Sequence, residues 1–439
     1  MKLFSVRRNQ MDTLFQNITV ITMDPACPVM EHAYLGVHGE KIVWLSKDAP
    51  EEPSAHVIDG TGKVLIPGLQ NTHTHIAMTA LRGYADDQTL TEWLFGNILP
   101  AEAKMNNDLV YHAARLGILE ALASGTTSIC DMYFHSPEIA RAAKELGIRA
   151  HVGNPPFELG DGFSMEDRSV LETEELIRDY ADDPLITPTI GVHAIHNSNP
   201  AVWRWVNDMA ERHDLPVVLH LSETMPDVES SLAKYGKTPT VALRDSGMLA
   251  RPVTAAHCVH LTDEDIAIMK EYGLSVASCP VSNLKLASGI APLARLKEAG
   301  VNITLATDGV ASNNTLDLFE EMKLSVLLQK NLTGDASALS AWDALTFATV
   351  NGNIAMGRGE RCGRLLPGYE ADLAMLDFTA PHLNPCHNVI SHVVYAAHGS
   401  DVELTMVRGR TVYENRRFPG IDMAEEIRRV NELVAKYLA

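Results

Sequence analysis

The stretch VLIPGLQNTHTH (64–75) runs from branched apolar residues into a polar, histidine-bearing end, and the same change of texture recurs seven more times before residue 310. The later runs are TTSICDMY (126–133), IRAHVGN (148–154), ITPTIGVHAIH (186–196), PVVLHLSE (216–223), VTAAHCVH (253–260), LSVASCPVSN (274–283) and NITLATDG (302–309). Each is short and β-rich, the composition of a strand buried on both faces. Between them lie amphipathic stretches of helical period, among them NDLVYHAARLGILEALASG (107–125), PEIARAAKELG (137–147), DEDIAIMKEYG (263–273) and PLARLKEAG (292–300). These end in glycine, which takes the left-handed conformation that closes a helix and turns the chain back. Strands alternating with helices require a parallel sheet, and eight repeats close it into a (β/α)₈ barrel of the TIM type over residues 64–361. An open doubly wound sheet would explain the alternation but not the count of eight, and no GxGxxG turn is present.

The ends differ in texture. Residues 12–63 hold alternating pieces such as LFQNITVITM and YLGVHGEKIVWLS, and residues 362–420 hold DLAMLDFT, NVISHVVYAA and VELTMVRGRTVYENRRF. Both lie outside the repeat, so they are expected to pair as one small β-rich domain built from both termini. Residues 315–357 read as helices that close the barrel, and 421–439 as a C-terminal helix.

A net charge of −20, with no Lys/Arg cluster longer than two residues, repels polyphosphate and argues against nucleic acid as a partner. No apolar run is long enough to span a bilayer. The first ten residues carry Arg7 and Arg8 without a following apolar segment, so they do not read as a secretory signal, and Met11 is an alternative start. Six cysteines without a CxxC pair read as reduced thiols in a cytoplasmic protein rather than a disulfide frame. A homo-oligomer is allowed by the sequence but not indicated by it.

In NTHTH, His73 and His75 are one residue apart on a strand and so point to the same face. In a barrel that face is the interior, and the pair sits at the C-terminal end, where barrel active sites lie. His220, His257 and Asp308 end later strands in the same way. Imidazoles with a carboxylate suit zinc or ferrous iron. Any one such histidine is more simply a hydrogen-bonded core residue, and His112, His213 and His382 are read as surface or capping groups. Five polar groups buried at one mouth without a cation would leave several unsatisfied, at about 1–3 kcal/mol each.

HTH after the first strand, HLSE after the fifth, AAHCVH in the sixth and TDG after the eighth resemble the amidohydrolase superfamily. GYEADLAMLD (368–377) is similar to part of its small β-sandwich domain. Within the superfamily, NTHTHIAMTALRG, EWLF, ILPAE, DMYF, SNLKLASGIAP and TDGVASNN look like the 5′-methylthioadenosine/S-adenosylhomocysteine deaminases, and the match runs from about residue 12 to the end. The resemblance implies His73, His75, His220 and Asp308 as metal ligands. Many members bridge two metals with a lysine on the fourth strand; ITPTIGVHAIH has none, which implies one divalent metal per chain, Zn²⁺ with Fe²⁺ as the other candidate.

The resemblance also implies hydrolytic deamination of an adenine nucleoside to an inosine-type product. Three residues after His220, Glu223 lies just past the strand and shuttles a proton from water to the purine ring. His257 hydrogen-bonds the attacking water, and Asp308 accepts its second proton. Glu102, in ILPAE, matches the carboxylate that takes both ribose hydroxyls, against a competing reading as a helix N-terminal acid. His193 matches a nucleoside-contacting histidine, Trp93 is a candidate pocket wall, and Asn154 a candidate substrate contact; His196 receives no role. After the third strand the chain reads GNPPFELGDGFSMEDR (153–168), with no cation before Arg168 and with Glu158 and Asp161 adding negative charge. This favours a small apolar 5′-substituent over the zwitterionic tail of S-adenosylhomocysteine. Two other readings compete: a superfamily deaminase or chlorohydrolase acting on a free base, pterin or triazine, and an inactive barrel that serves as a binding protein.

Overall fold

The computed structural model describes residues 11–158, 160 and 162–438; the segment 1–10 and Asp161, both touched by the sequence reading, lie outside the described residues. Three sheets organise the chain. The first is formed by β1 (Met11–Ile21), β2 (Val29–His38), β3 (Lys41–Ser46), β4 (Ser54–Asp59) and β5 (Lys63–Pro67).

The repeat follows. Its strands are β6 (Leu69–His75), β7 (Thr126–Met132), β8 (Arg149–Gly153), β9 (Ile186–Pro188) and β10 (Ile190–Ala194). They continue with β11 (Val217–Leu221), β12 (Val253–His257), β13 (Ser275–Ser278), β14 (Asn302–Leu305) and β15 (Asp308–Gly309). The C-terminal strands β16 (Leu373–Asp377), β17 (Val402–Val407) and β18 (Arg410–Glu414) return to the first sheet, so that one eight-stranded sheet draws on both ends of the chain. It has a core of its own, in which Phe15, Ile18, Leu35, Leu65, Leu373 and Leu404 pack together.

The repeat strands pair in parallel as two five-stranded sheets, β15-β6-β7-β8-β9 and β10-β11-β12-β13-β14. Only Thr189 separates β9 from β10, and its N–H bonds Val152 O at 2.9 Å while the next N–H, of Ile190, bonds Pro216 O at 3.1 Å. At the other junction Ala306 N bonds Ser278 O at 2.8 Å. Beside it, Thr72 Oγ1 on β6 donates to Leu305 O at 3.0 Å. The backbone thus passes from one sheet to the other at both ends.

Period-two alternation sorts the side chains. On β11, Leu219 and Leu221 join the main core with the helices, whereas Val218 meets Cys130, Met132 and Met356 in a separate small cluster. His220 shares the face of Val218.

The helices lie where their caps put them. Asn107–Ala123 begins at Asn106, whose side chain accepts from Leu109 N, and Asp263–Tyr272 begins at Thr262 in a capping box with Asp265. Ser136–Leu146, Asp263–Tyr272 and Leu293–Ala299 end on Gly147, Gly273 and Gly300, all left-handed. Helices Leu318–Thr333 and Ala341–Thr346 fill the 315–357 region. The last helix, Met423–Tyr437, docks on Asn107–Ala123 through Arg115–Glu426 and Arg429–Asp108 ion pairs and the buried Val430 and Leu433.

Two sequence expectations are corrected. The run 64–75 is two strands: β5 pairs with β16 and β1 in the first sheet, and only β6 enters the repeat. Gly68 is the crossing point, where a Cβ would lie 2.2 Å from Thr127 Oγ1. NVISHVVYAA is not a strand: Val389–Tyr395 is a helix capped by Asn388, with Val393 and Val394 buried one turn after Val389 and Ile390. Helical spacing of the apolar residues against Leu318–Thr333 and Ala341–Thr346 outweighs their β propensity. No helix among the described residues is long and apolar enough to cross a membrane. All six cysteines are free.

Candidate active site

His73 and His75 leave the end of β6, His220 the end of β11 and His257 the end of β12, and Asp308 opens β15 opposite Thr74. Three of these strand ends are bent out of ordinary geometry: Ser222, His257 and Asp308 have φ of 49°, 69° and 62°. Left-handed backbone at a non-glycine residue costs roughly 1–2 kcal/mol. Here it is spent turning side chains over one point.

The imidazole Nε2 atoms converge. His73 Nε2 and His75 Nε2 each stand 3.3 Å from Asp308 Oδ1, and His220 Nε2 is 3.3 Å from His75 Nε2. The far nitrogens are committed elsewhere: His75 Nδ1 donates to Met132 O at 2.5 Å and His220 Nδ1 to His193 O at 2.8 Å. A carbonyl only accepts, so Nδ1 carries the proton and Nε2 presents a lone pair. Burial pushes His73 down to about 4 and His220 well below the usual histidine range, which keeps both neutral. Burial works against the Asp308 carboxylate too, but the contact with His73 and the nearby His75 and His257 outweigh it and keep Asp308 ionised.

Lone pairs facing each other at 3.3 Å, beside a buried His73 Nε2 without a hydrogen-bond partner, repel unless a cation lies among them. The donor set therefore fits a divalent metal. Its geometric groupings are His73, His75 and Asp308, and His73, His220 and His257.

Next to this cluster, Glu223 lies in the loop after β11, buried, with Oε2 3.7 Å from His257 Nε2. Burial pushes its carboxyl up to about 7. Burial alone would lower His257, but the Glu223 and Asp308 carboxylates raise it above its ordinary value. The sequence reading passed over four residues that hold these groups. Ser282 and Ser312 donate to Asp308 Oδ2 at 2.6 and 2.9 Å, Asn283 Oδ1 lies 2.9 Å from His257 Nδ1, and Ser288 Oγ donates to Glu223 Oε1 at 3.3 Å. The signal available was polar residues interrupting apolar stretches in SNLKLAS and GVASNN.

A cavity of about 360 Å³ opens above the cluster. His75, His220, Glu223, His257 and Asp308 line it, as do Trp93, Glu102, Asn154 and His193; His73 lies behind them. Glu102 ends the short helix Leu99–Glu102, is buried, and accepts from Tyr133 Oη at 2.6 Å. Burial pushes it up to about 7. Asn197 Oδ1 accepts from Ala194 N at 2.9 Å, which turns its amide N–H toward His193 Nδ1, also at 2.9 Å. Burial holds His193 near 3, so it is neutral and carries its proton on Nε2. Trp93 is buried, and its indole N–H has no hydrogen-bond partner among the described residues. The Asn154 amide is engaged, donating to Glu172 Oε2 at 2.9 Å.

His196 and Arg168 also line the cavity. His196 stands 3.7 Å from Asp227 Oδ1. Arg168 reaches the wall with Nη1 at 2.9 Å from His135 Nε2 and Nε at 3.8 Å from Glu172, its side chain more than half exposed.

The profile of the Amidohydrolase family matches residues 64–412. The chain is 41% identical over 423 residues to the 5-methylthioadenosine/S-adenosylhomocysteine deaminase of Syntrophobacter fumaroxidans, covering 95% of this chain and 97% of the relative. It is 41% identical over 431 residues to the 5′-deoxyadenosine deaminase of Methanosarcina acetivorans, covering 97% and 99%. Among solved structures, an adenosine deaminase from Xanthomonas campestris with bound zinc superposes with a TM-score of 0.91 at 34% identity, covering 98% of this chain and 99% of that one. By its matched length, its ordered histidines and aspartate, and these relatives, the chain belongs to the amidohydrolase family, among the proteins related to 5-methylthioadenosine/S-adenosylhomocysteine deaminases.

Proposed function

We propose that the protein is a metal-dependent aminohydrolase that replaces the 6-amino group of an adenine nucleoside with oxygen and releases ammonia. One observation carries the reading: a single cavity presents the His/Asp donor set with Glu223 at its floor and a buried carboxylate, Glu102, on its wall. A free base or triazine has no diol to engage Glu102, so the nucleoside reading is preferred to those alternatives. The names of the similar proteins support it.

One cation per chain, zinc or ferrous iron, would be held by His73, His75, His220 and Asp308, since the fourth-strand run 186–196 offers no lysine to bridge a second. When bound, it would make water nucleophilic at neutral pH by lowering its pKa toward about 7. Glu223 takes a proton from that water and delivers it to the purine ring nitrogen. His257 orients the water through Nε2, and Asp308 receives the second proton, which leaves with the amine as ammonia. The His193 Nε2–H donates to the nucleoside, Trp93 walls the base, and Asn154 offers its free carbonyl. The division that goes with this reading is a closed (β/α)₈ hydrolase barrel over 64–361 and a small β-sandwich domain from 12–63 and 362–420, with 421–439 as the terminal helix. A cytoplasmic setting keeps six unpaired thiols reduced.

Ultraviolet absorbance change with adenosine, 5′-deoxyadenosine, 5′-methylthioadenosine, S-adenosylhomocysteine and adenine tests the function. The nucleosides are expected to turn over and adenine not to; the reverse would sink the reading. Pro155, Pro156 and Phe157 follow β8, and Arg168, the one Arg or Lys that lines the cavity among the described residues, already faces Glu172. An amino-acid carboxylate would therefore be poorly compensated. The three nucleosides without it are expected to exceed S-adenosylhomocysteine in kcat/KM by about tenfold, the equivalent of about 1.4 kcal/mol. A preference for S-adenosylhomocysteine that disappears in Arg168→Gln would show that Arg168 swings onto the carboxylate instead.

Glu102→Gln should lower kcat/KM for ribonucleosides by about a hundredfold or more, because two charged hydrogen bonds are worth roughly 1.5–3 kcal/mol each. A 2′-deoxy substrate, which keeps only the 3′-hydroxyl, should be poor with native protein and lose less in the variant than a ribonucleoside, about the share of one such bond. Only the ionised carboxylate accepts both hydroxyls, and its value is raised to about 7. The ribose preference should therefore strengthen as pH rises through that value and fade below it. Equal handling of ribose and deoxyribose substrates on both sides would remove Glu102 from the site.

A further inference from the structure

The chain between Ser282 and Ser288, after β13, touches all three groups to which the proposed function gives proton handling. It begins in the short helix Pro280–Lys285 and turns through Ala287, at φ 54°, and Gly289, at φ 125°. Ser282 Oγ donates to Asp308 Oδ2 at 2.6 Å, joined there by Ser312 Oγ at 2.9 Å, so Oδ1 alone faces His73 and His75. Asn283 Oδ1 accepts from His257 Nδ1 at 2.9 Å, so Nε2 faces Glu223 Oε2. Ser288 Oγ donates to Glu223 Oε1 at 3.3 Å, so Oε2 is the oxygen turned toward His257. In every case the turn occupies the atom that points away from the reaction and leaves the other one free.

The turn is itself held. Ser288 N bonds Asn283 O at 2.8 Å, and Ser288 O accepts from His260 Nε2 at 2.8 Å. Val281 N donates to Glu321 Oε2 at 3.1 Å, and Glu321 Oε1 accepts from Asn313 Nδ2 at 2.6 Å. Ser282, Asn283 and Ser288 are all buried, where a polar group without a partner is costly. Satisfying buried polar groups does not by itself require three partners that are all reacting groups.

We propose that Ser282, Asn283 and Ser288 form a single positioning unit that sets which atom of Asp308, His257 and Glu223 meets the substrate; this rests on the reading of those three as the proton-handling groups. None of the three is among the residues that line the cavity, so they act through the groups they hold. Ser282→Ala, Asn283→Ala and Ser288→Ala, each in the metal-loaded full chain, should lower kcat by about 10–100-fold, the usual cost of removing a supporting partner. KM should stay within about threefold, because ground-state binding is not what they supply. Metal content under saturating metal should stay near native, and the melting temperature should fall only by the few degrees that one lost buried hydrogen bond costs.

The second readout needs no turnover. In the ring ¹⁵N spectrum of the native protein, recorded at alkaline pH where the ring is neutral, His257 should carry its proton on Nδ1; Asn283→Ala should give a mixture of tautomers, and Asn283→Asp, which keeps an oxygen there, should restore the single one. An unprotonated Nδ1 in the native protein, or kcat within about threefold of native in all three alanine variants, overturns the proposal. Should no adenine nucleoside be deaminated while the tautomer still follows residue 283, the functional reading fails and the positioning stands.

Discussion

Glu223→Gln is expected to keep its metal and its fold and to lose turnover by at least about 10²–10⁴-fold, the contribution of a well-placed general acid–base group. The substitution is nearly isosteric. A glutamine Oε1 still accepts from Ser288, whose hydroxyl is 3.3 Å away, so the loop after β11 has no reason to move. What it lacks is the capacity to take a proton from water and give it to a ring nitrogen. Burial holds the native carboxyl at about 7, where it both accepts and donates near neutral pH, and an amide does neither. Ammonia release under saturating nucleoside gives kcat, elemental analysis gives the metal, and a melting curve reports the fold. Near-native turnover would move the proton shuttle elsewhere, with His257, 3.7 Å from the carboxylate, as the next candidate.

The parts of this site that were legible in sequence are those governed by local geometry. His73 and His75 share a face because a strand alternates its side chains, whatever it pairs with. His220, His257 and Asp308 stood out as polar groups that end apolar runs. Glu223 was readable as lying past its strand, since three residues in an extended chain would have turned it away from His220; β11 indeed ends at Leu221. The supporting residues were not legible in this way. Ser282 reaches Asp308 across 26 residues because β13 and β14 pair with Ser278 opposite Leu305 and the short helix Pro280–Lys285 follows directly, and that pairing is not marked by an alternating pattern.

The fold divided along the same line. The alternation of strands and helices was readable, but that VLIP leaves LQNTHTH for another sheet depends on hydrogen bonds to β1 and β16, far away in sequence. NVISHVVYAA misled because its valines and isoleucine favour strands locally, while the surface that selects a helix is supplied by two other helices. Glu102 is singled out by the family resemblance alone; its burial and its bond to Tyr133 are tertiary facts.

His220→Ala should fail in the opposite manner to Glu223→Gln, losing metal and activity together. Native protein purified without chelator is expected to hold one divalent ion per chain, and full activity at two per chain would refute the mononuclear assignment. Removing His220 takes away a neutral imidazole whose lone pair is aimed at the cluster by its Nδ1 bond to His193 O. Losing a mere supporting partner costs about 10–100-fold in metal affinity, and a direct donor should cost more. The consequence is also visible in stability. A ligand that binds only the folded state stabilises it by RT ln(1 + [L]/Kd), about 4.1 kcal/mol at a thousandfold excess over Kd. A chelator should therefore lower the melting temperature of the native protein and of Glu223→Gln, yet leave His220→Ala unmoved, because that variant has no bound ion to lose. If His220→Ala instead kept a full complement of metal and responded to chelator like the native protein, His220 would not be a ligand, and the converging Nε2 atoms of His73 and His75 with Asp308 and His257 would have to hold the ion alone.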